Sequence, residues 1–449
     1  MVEAAVEPVV EPVGPVSEWH EKASRGRFAR FGGSTFSSLK YRNFRLFFTG
    51  QIISQVGNWL TLIAQTLLVL KLTNSGLMVG LLTGCQFAPV LLFGAWAGLI
   101  ADRSDKRKLL MIVQALAMVQ SFVLAALAFM GHPPVLAIFA VAFCGGIATA
   151  FDNPARRAFV VEMVPETNVQ NAVSLNSALM TSSRIVGPAL AGLLISTVGY
   201  GWCFTVDGIS YIAVLVALWM MRPADLRRPP VAKRGKGQVR EGLRYVRTVP
   251  DLWIPLVMMA IIGTLAFNFQ VVLPLFATRT FGGDDATFTL LLSVISVGSL
   301  TGALVTARRK TIELRHVIVA AAGFGLSMLL LAVVPSLGLA FPVAMLMGFV
   351  SIAFMTASTA IVQVRADPTM RGRVLALQAI VFLGSTPIGG PIVGAICQEF
   401  GARAGLVVGG VAGLAAAGWG LLAGRRSLAD GGAEPPDSVD RALELEALR

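Results

Sequence analysis

The sequence predicts an all-α membrane protein with twelve transmembrane helices in two six-helix halves, and three observations carry that prediction. Of 449 residues, 55% are hydrophobic and 14% charged, whereas soluble domains carry about a quarter charged residues. Too little polar surface remains to cover a water-soluble body, and the mean hydropathy is +0.72. The apolar residues form twelve blocks, each near the ~20 residues that cross a hydrocarbon core. The basic residues gather in alternate loops, as cytoplasmic loops of membrane proteins do.

The blocks run approximately at 44–70, 77–100, 109–130, 135–154, 171–198, 201–221, 252–278, 287–307, 316–334, 339–364, 374–397 and 404–424. Of the 37 Lys and Arg, 33 lie in the tails, the even-numbered loops or their edges. Lys71, Arg279 and Arg403 lie at the opposite ends, and Arg184 lies inside a block. This split places both termini in the cytoplasm and requires an even number of spans. It also accounts for the net charge of +12 without a nucleic-acid partner. Residues 1–43 hold Pro, Ser and charge but no apolar stretch before a cleavage site, so they read as a disordered cytoplasmic tail and not a signal peptide. Residues 425–449 read as a second tail. Between them, 44–221 and 251–424 form the two bundles, joined by a cytoplasmic linker over 222–250.

Within the linker, Val239, Leu243 and Val246 share one stripe with arginines beside it, which fits a short helix in the membrane interface. A repeat supports the two halves. A shift of 202 places Thr167 on Thr369, Leu175 on Leu377, Gly187 on Gly389 and Gly192 on Gly394. Parallel repeats of this kind hold a substrate site at the midplane between halves.

After the second block, Gly98, Asp102, Arg103, Lys106 and Arg107 follow a spacing that resembles the Gly-x-x-x-Asp-Arg-x-Gly-Arg-Arg signature of the major facilitator superfamily. Asp105 stands where that signature has Gly. A helix N-terminus can hold the acid of such a loop, and Asp152 is placed to pair with Lys106 or Arg107 in a gate. Arg42 to Leu46, Ser54 to Trp59, Asn153 to Phe159, Asn171 to Ser177 and Glu241 to Arg247 are similar to one bacterial branch. It includes the enterobactin exporter, macrolide and drug efflux proteins, and the lysophospholipid transporter. The resemblance spans about residues 40–425. It implies the major facilitator fold and secondary transport in the bacterial cytoplasmic membrane, commonly proton-driven. Gly187, Pro188 and Gly192 match part of the superfamily's antiporter motif, which implies an exporter. They also fit plain helix packing.

Polar residues inside the blocks are the candidate site. Gln51, Gln55 and Asn58 share a face of block 1, and such a face avoids lipid. The resemblance places blocks 1, 4, 7 and 10 around a central cavity, which adds Asn268, Gln270 and Thr359, with Phe267 and Phe269 as an apolar wall. Arg184, thirteen residues into block 5, is a central charge that costs ~2.5–3.5 kcal/mol to insert. Asp207 lies nearer the external end and reads as an interfacial, partly hydrated acid; the two are the coupling candidates. Cys85, Cys144, Cys203 and Cys397 read as small buried hydrophobes. The histidines His20, His132 and His316 form no metal-ligand spacing, and no catalytic set or nucleotide-binding motif occurs. The expected protein is therefore not an enzyme and takes no cofactor. It is a monomeric, proton-linked exporter of small amphipathic molecules (drugs, siderophores or metabolites). A lysophospholipid carrier is the alternative cargo reading, and a non-transporting sensor or assembly partner the alternative class.

Overall fold

The computed structural model describes residues 36–227, 238–309, 311–367 and 370–429. Most of both expected tails and part of the linker lie outside the described residues. Twelve helical segments are long and apolar enough to cross a membrane, matching the twelve blocks. The first six are α1 (Arg42–Thr73), α2 (Gly76–Arg103), α3 (Lys106–Phe129), α4 (Val135–Glu162), α5 (Glu166–Thr197) and α6 (Tyr200–Met220). A surface helix, α7 (Gln238–Thr248), precedes the second six. The seventh span is broken: α8 (Pro250–Leu265), a short α9 (Phe269–Leu275) and a π turn (Phe276–Thr280). Then come α10 (Asp285–Ala307), α11 (Leu314–Val333), α12 (Leu337–Arg365), α13 (Arg371–Phe400) and α14 (Ala402–Ala429).

Local chemistry sets the ends of these helices. Asp105 adopts φ −65° and caps α3, its carboxylate accepting from the Lys108 N–H at 3.1 Å. The residue that replaces the signature glycine thus needs no left-handed backbone and supplies a cap instead. Asp284 caps α10 by accepting from the Thr287 N–H and hydroxyl, which hold its carboxyl below the usual range. Gly199 (φ +89°) turns α5 into α6 and Gly401 (φ +83°) turns α13 into α14. These left-handed turns favour glycine, and they are 202 residues apart.

Part of the expected N-terminal tail is ordered. A 3₁₀ turn, Ser37–Lys40, is pinned to the start of α5 by Ser38, whose N–H donates to Asn171 Oδ1 at 3.0 Å, and by Tyr41, whose hydroxyl donates to Asn168 at 3.1 Å. The linker helix α7 docks on the second half. Val246 is buried in an apolar cluster with Leu252, Val374 and Leu377, and Glu241 pairs with Arg373 at 2.9 Å. Leu243 of the expected stripe is exposed.

Small residues bring the two halves together, and the repeat-related glycines make equivalent contacts. Gly187 of α5 packs on Trp59 of α1, and Gly389 of α13 packs on Thr264 of α8. Gly192 meets Thr289 of α10, across the halves, and Gly394 meets Gly76 and Gly80 of α2, also across the halves. Backbones at such close approach leave no room for a side chain. These cross-half contacts lie toward one face. There Tyr200 donates to Asp285 at 2.5 Å, Lys71 sits 5.2 Å over the Tyr200 ring, and Arg279 donates to the Asn74 carbonyl and, at 3.4 Å, to Gln398. Toward the other face, which carries both described chain ends, the glycine contacts between α2 and α13 end at Leu91 and Gly384; a Cβ on Gly94 or Gly98 would meet nothing within 4 Å. Trp96 is 72% exposed there. The halves are thus sealed on one face and parted on the face of the chain ends.

Candidate functional site

The polar face of α1 does not turn wholly toward the gap between the halves. Gln55, Asn58, Thr61 and Gln65 line a cavity of about 250 Å³ inside the first half, walled also by α2, α3, α4 and α6. Its lining is unusually rich in amides and charges for a membrane interior. Gln86 donates to Gln65 at 2.9 Å, Tyr211 to Asn58 at 2.7 Å, and Gln114 to Asp152 at 2.7 Å. Gln51 lies just beyond, 2% exposed, its carbonyl accepting from Gln55 at 2.9 Å and Arg156 at 3.4 Å. Buried polar groups inside a membrane are satisfied in this way or by water, and this cavity is polar and large enough for water.

Two carboxylates sit in that interior, and both differ from expectation. Asp152 does not pair with Lys106 or Arg107. It pairs with Arg156 at 2.7 Å, one turn along the same helix. Lys106 pairs with Glu162 at 2.8 Å, and Arg107 donates to the carbonyls of Leu218 and Trp219. Asp207 is not an interfacial, hydrated acid. It is 1% exposed. One oxygen accepts from the hydroxyls of Thr61 (2.6 Å) and Ser121 (2.8 Å), and the Ser210 hydroxyl lies 3.5 Å from the other. Gly57 makes the room, because a side chain there would overlap the Asp207 carboxylate. Three helices therefore converge on one acid that has no cation beside it among the described residues.

The interior of the second half is lined differently. Phe267, Phe269, Phe324 and Phe382 fill its space, ring centroids 5.0–6.0 Å apart. Asn268, 3% exposed, donates to the Thr264 carbonyl at 2.7 Å beside the helix break, and its own side-chain oxygen has no partner. It is thus held against its own span, not aimed at the amides of α1. Gln270 and Thr359 are half-buried; Thr359 donates to Met355 and accepts from Gln378.

In the loop after α2, a Cβ on Gly98 would meet nothing within 4 Å, and Arg373 pairs with Glu241 of the linker helix. Arg184 is exposed in mid-α5. Gln86, Gln114, Gln120, Ser121 and Tyr211 went unread in the sequence. Gln114 and Ser121, seven residues apart on α3, are the signal that was there to find, since that spacing puts both on one face.

Twelve spans in two repeat-related halves, parted on one face and sealed on the other, with charged and amide groups held inside the span region, define a membrane transporter. The chain belongs to the transmembrane secretion effector family of the major facilitator superfamily, whose profile matches residues 33–440. It is similar to the staphyloferrin A transporter of Staphylococcus aureus, 26% identical over 263 residues, 58% of this chain; the chain covers 66% of that protein's length. Macrolide efflux protein A of Streptococcus pyogenes is 24% identical over 360 residues, 78% of this chain and 89% of that protein. In fold it is similar to a bacterial homologue of the human lysosomal transporter Spinster, solved in an inward-facing and unoccupied conformation, with TM-score 0.70 and 16% identity over 88% of this chain and 99% of that one. A D-xylose–proton symporter shares the fold at TM-score 0.65 and 15% identity, over 85% and 96% of the two chains.

Proposed function

We propose that this protein is a proton-coupled exporter of small amphipathic organic molecules that works by alternating access in a bacterial cytoplasmic membrane. It acts as a monomer of two bundles, 44–221 and 251–424, with both termini in the cytoplasm. The observation that carries the reading is the inequality of the two faces: packed glycines seal one, and the halves part on the other, the basic one. Parallel repeats with a site between them are built to exchange which face is closed. Macrolide efflux protein A supports the direction, since its name specifies efflux.

In this reading the loop of Gly98, Asp102, Arg103, Lys106 and Arg107 closes the cytoplasmic face in the other state. Gly187, Pro188 and Gly192 keep α5 close to its neighbours while the halves rock. Gln270 and Thr359 contact substrate. Asp207 carries the proton: its hydrogen bonds to Thr61 on α1 and Ser121 on α3 must change when it is protonated, so its charge state is linked to how those helices pack.

The test is flux in inverted vesicles with a panel of drugs, siderophores and metabolites, with and without an imposed pH gradient, for wild type and Asp207→Asn. Uphill accumulation that needs the gradient in wild type and is lost in Asp207→Asn is the expected result. Accumulation in wild type that ignores the gradient would remove the proton from the mechanism, and absence of flux for every compound would remove export.

A further inference from the structure

Among the described residues, Arg184 takes part in neither the seal nor an ion pair. Arg184 sits in mid-α5 with its side chain exposed, and the helix geometry fixes where it points. At about 100° per residue, Arg184 lies some 60° from Gly187 on one side and some 80° from Gly192 on the other. Gly187 faces Trp59 of α1, and Gly192 faces Thr289 of the other half. The exposed apolar residues Val186 and Leu193 lie about 160–180° away and form the lipid face. Arg184 therefore points into the space between the halves. Thr181 and Ser177, one and two turns toward the parted face, continue its line.

Among the described residues nothing neutralises it. Among the described residues no carboxylate lies within ion-pair distance of Arg184. Asp152 is committed to Arg156 and Asp207 is sealed among hydroxyls. In the second half, the spans hold Asp or Glu only within two residues of their ends. Arg156 brings a second guanidinium against α5, 3.8 Å from the sulfur of Met180, one turn below Arg184. Arg156 is itself buried and neutralised by Asp152 inside the first half, so Arg184 is the charge turned to the gap, and among the described residues no free acid lies at that depth to receive a cationic cargo.

We infer that Arg184 is the anchor for an anionic group, a carboxylate or its equivalent, on the transported molecule. The inference rests on the export reading and narrows its substrate class. A charge-assisted hydrogen bond in a site with little water discriminates strongly by charge, and about tenfold in affinity is the expected size.

The experiment uses the purified full-length protein in neutral, lipid-free maltoside micelles. Three probes share one ring and differ in head group: 2-naphthoate, 2-naphthylmethanol and 2-naphthylmethylammonium. Wild type should bind naphthoate about tenfold more tightly than the other two. Arg184→Gln, at wild-type yield and gel-filtration profile, should lose the preference, and Arg184→Lys should keep part of it. Equal binding of the three probes, no binding of any, or a preference that survives in Arg184→Gln overturns the inference. Titration with phosphatidylglycerol separates cargo from lipid: full displacement of naphthoate at one lipid per protein would make the anion a headgroup and overturn it as well. Export is read separately in vesicles. Naphthoate bound with preference but never moved would sink the export reading and leave the anion site standing, whereas probes moved without charge preference would do the reverse.

Discussion

Gly80→Ala should open the sealed face. A Cβ on Gly80 would lie 2.9 Å from the carbonyl carbon of Gly390 and 3.1 Å from Cα of Gly394, overlapping the Gly390 oxygen as well. All three are backbone atoms of α13, so no rotamer change relieves the clash. Carbon pairs prefer about 3.5–4.0 Å, so α2 and α13 must part by about half an ångström or more. Overpacking of this kind costs roughly 1–3 kcal/mol. The helix-propensity gain of Ala over Gly, about 1 kcal/mol, occurs in every state and cancels. The clash exists only where these helices touch, so the population should move away from the present state by about 5- to 150-fold. Spin labels at Val198 and Phe400, exposed ends of α5 and α13 at the sealed face, report this as a longer-distance population in pulsed dipolar spectra, in a background without Cys85, Cys144, Cys203 and Cys397. Gly418→Ala is the control, since nothing lies within 4 Å of a Cβ there and it lies outside the gating loop. Identical distance distributions for wild type and Gly80→Ala would refute the argument that close backbone contact holds the seal.

Two further outcomes are expected. Tyr200→Phe removes the 2.5 Å hydrogen bond to Asp285 across the halves; with half-exposed partners it is worth about 1 kcal/mol, so the same spin-label pair should show a shift of roughly fivefold, and no shift would make that bond incidental. Asp102→Asn should express and insert normally yet transport at no more than about a tenth of the wild-type rate, because the charge attracted to a helix N-terminus is gone; vesicle flux per mole of protein decides it, and wild-type turnover would remove Asp102 from the gate.

The spans, their number and the repeat were legible because each is a one-dimensional signal. Block length matches bilayer thickness, charge alternates by loop, and Gly187, Gly192 and Gly199 recur as Gly389, Gly394 and Gly401 at one fixed offset. The interior was less legible, for a physical reason that Asp207 illustrates. Distance along α6 gives its depth and nothing about its burial, which Thr61, Ser121 and Gly57 decide from two other helices. The Asp152–Arg156 pair was available, because residues four apart on a helix are neighbours, yet the basic loop drew the expectation away. Periodicity correctly kept Gln55 and Asn58 off the lipid but did not say which of two lipid-free spaces they face. Their choice of the intra-half cavity has a consequence for how the halves divide the work. In the proton-coupled reading an amide-lined interior lets α1, α3 and α6 exchange hydrogen bonds when an acid changes charge. The ring-packed interior around Phe267 and Phe324 offers no such exchange and resists deformation as close-packed cores do. In the proposed mechanism, proton-linked motion therefore belongs to the first half, and the second half is the rigid body it rocks against.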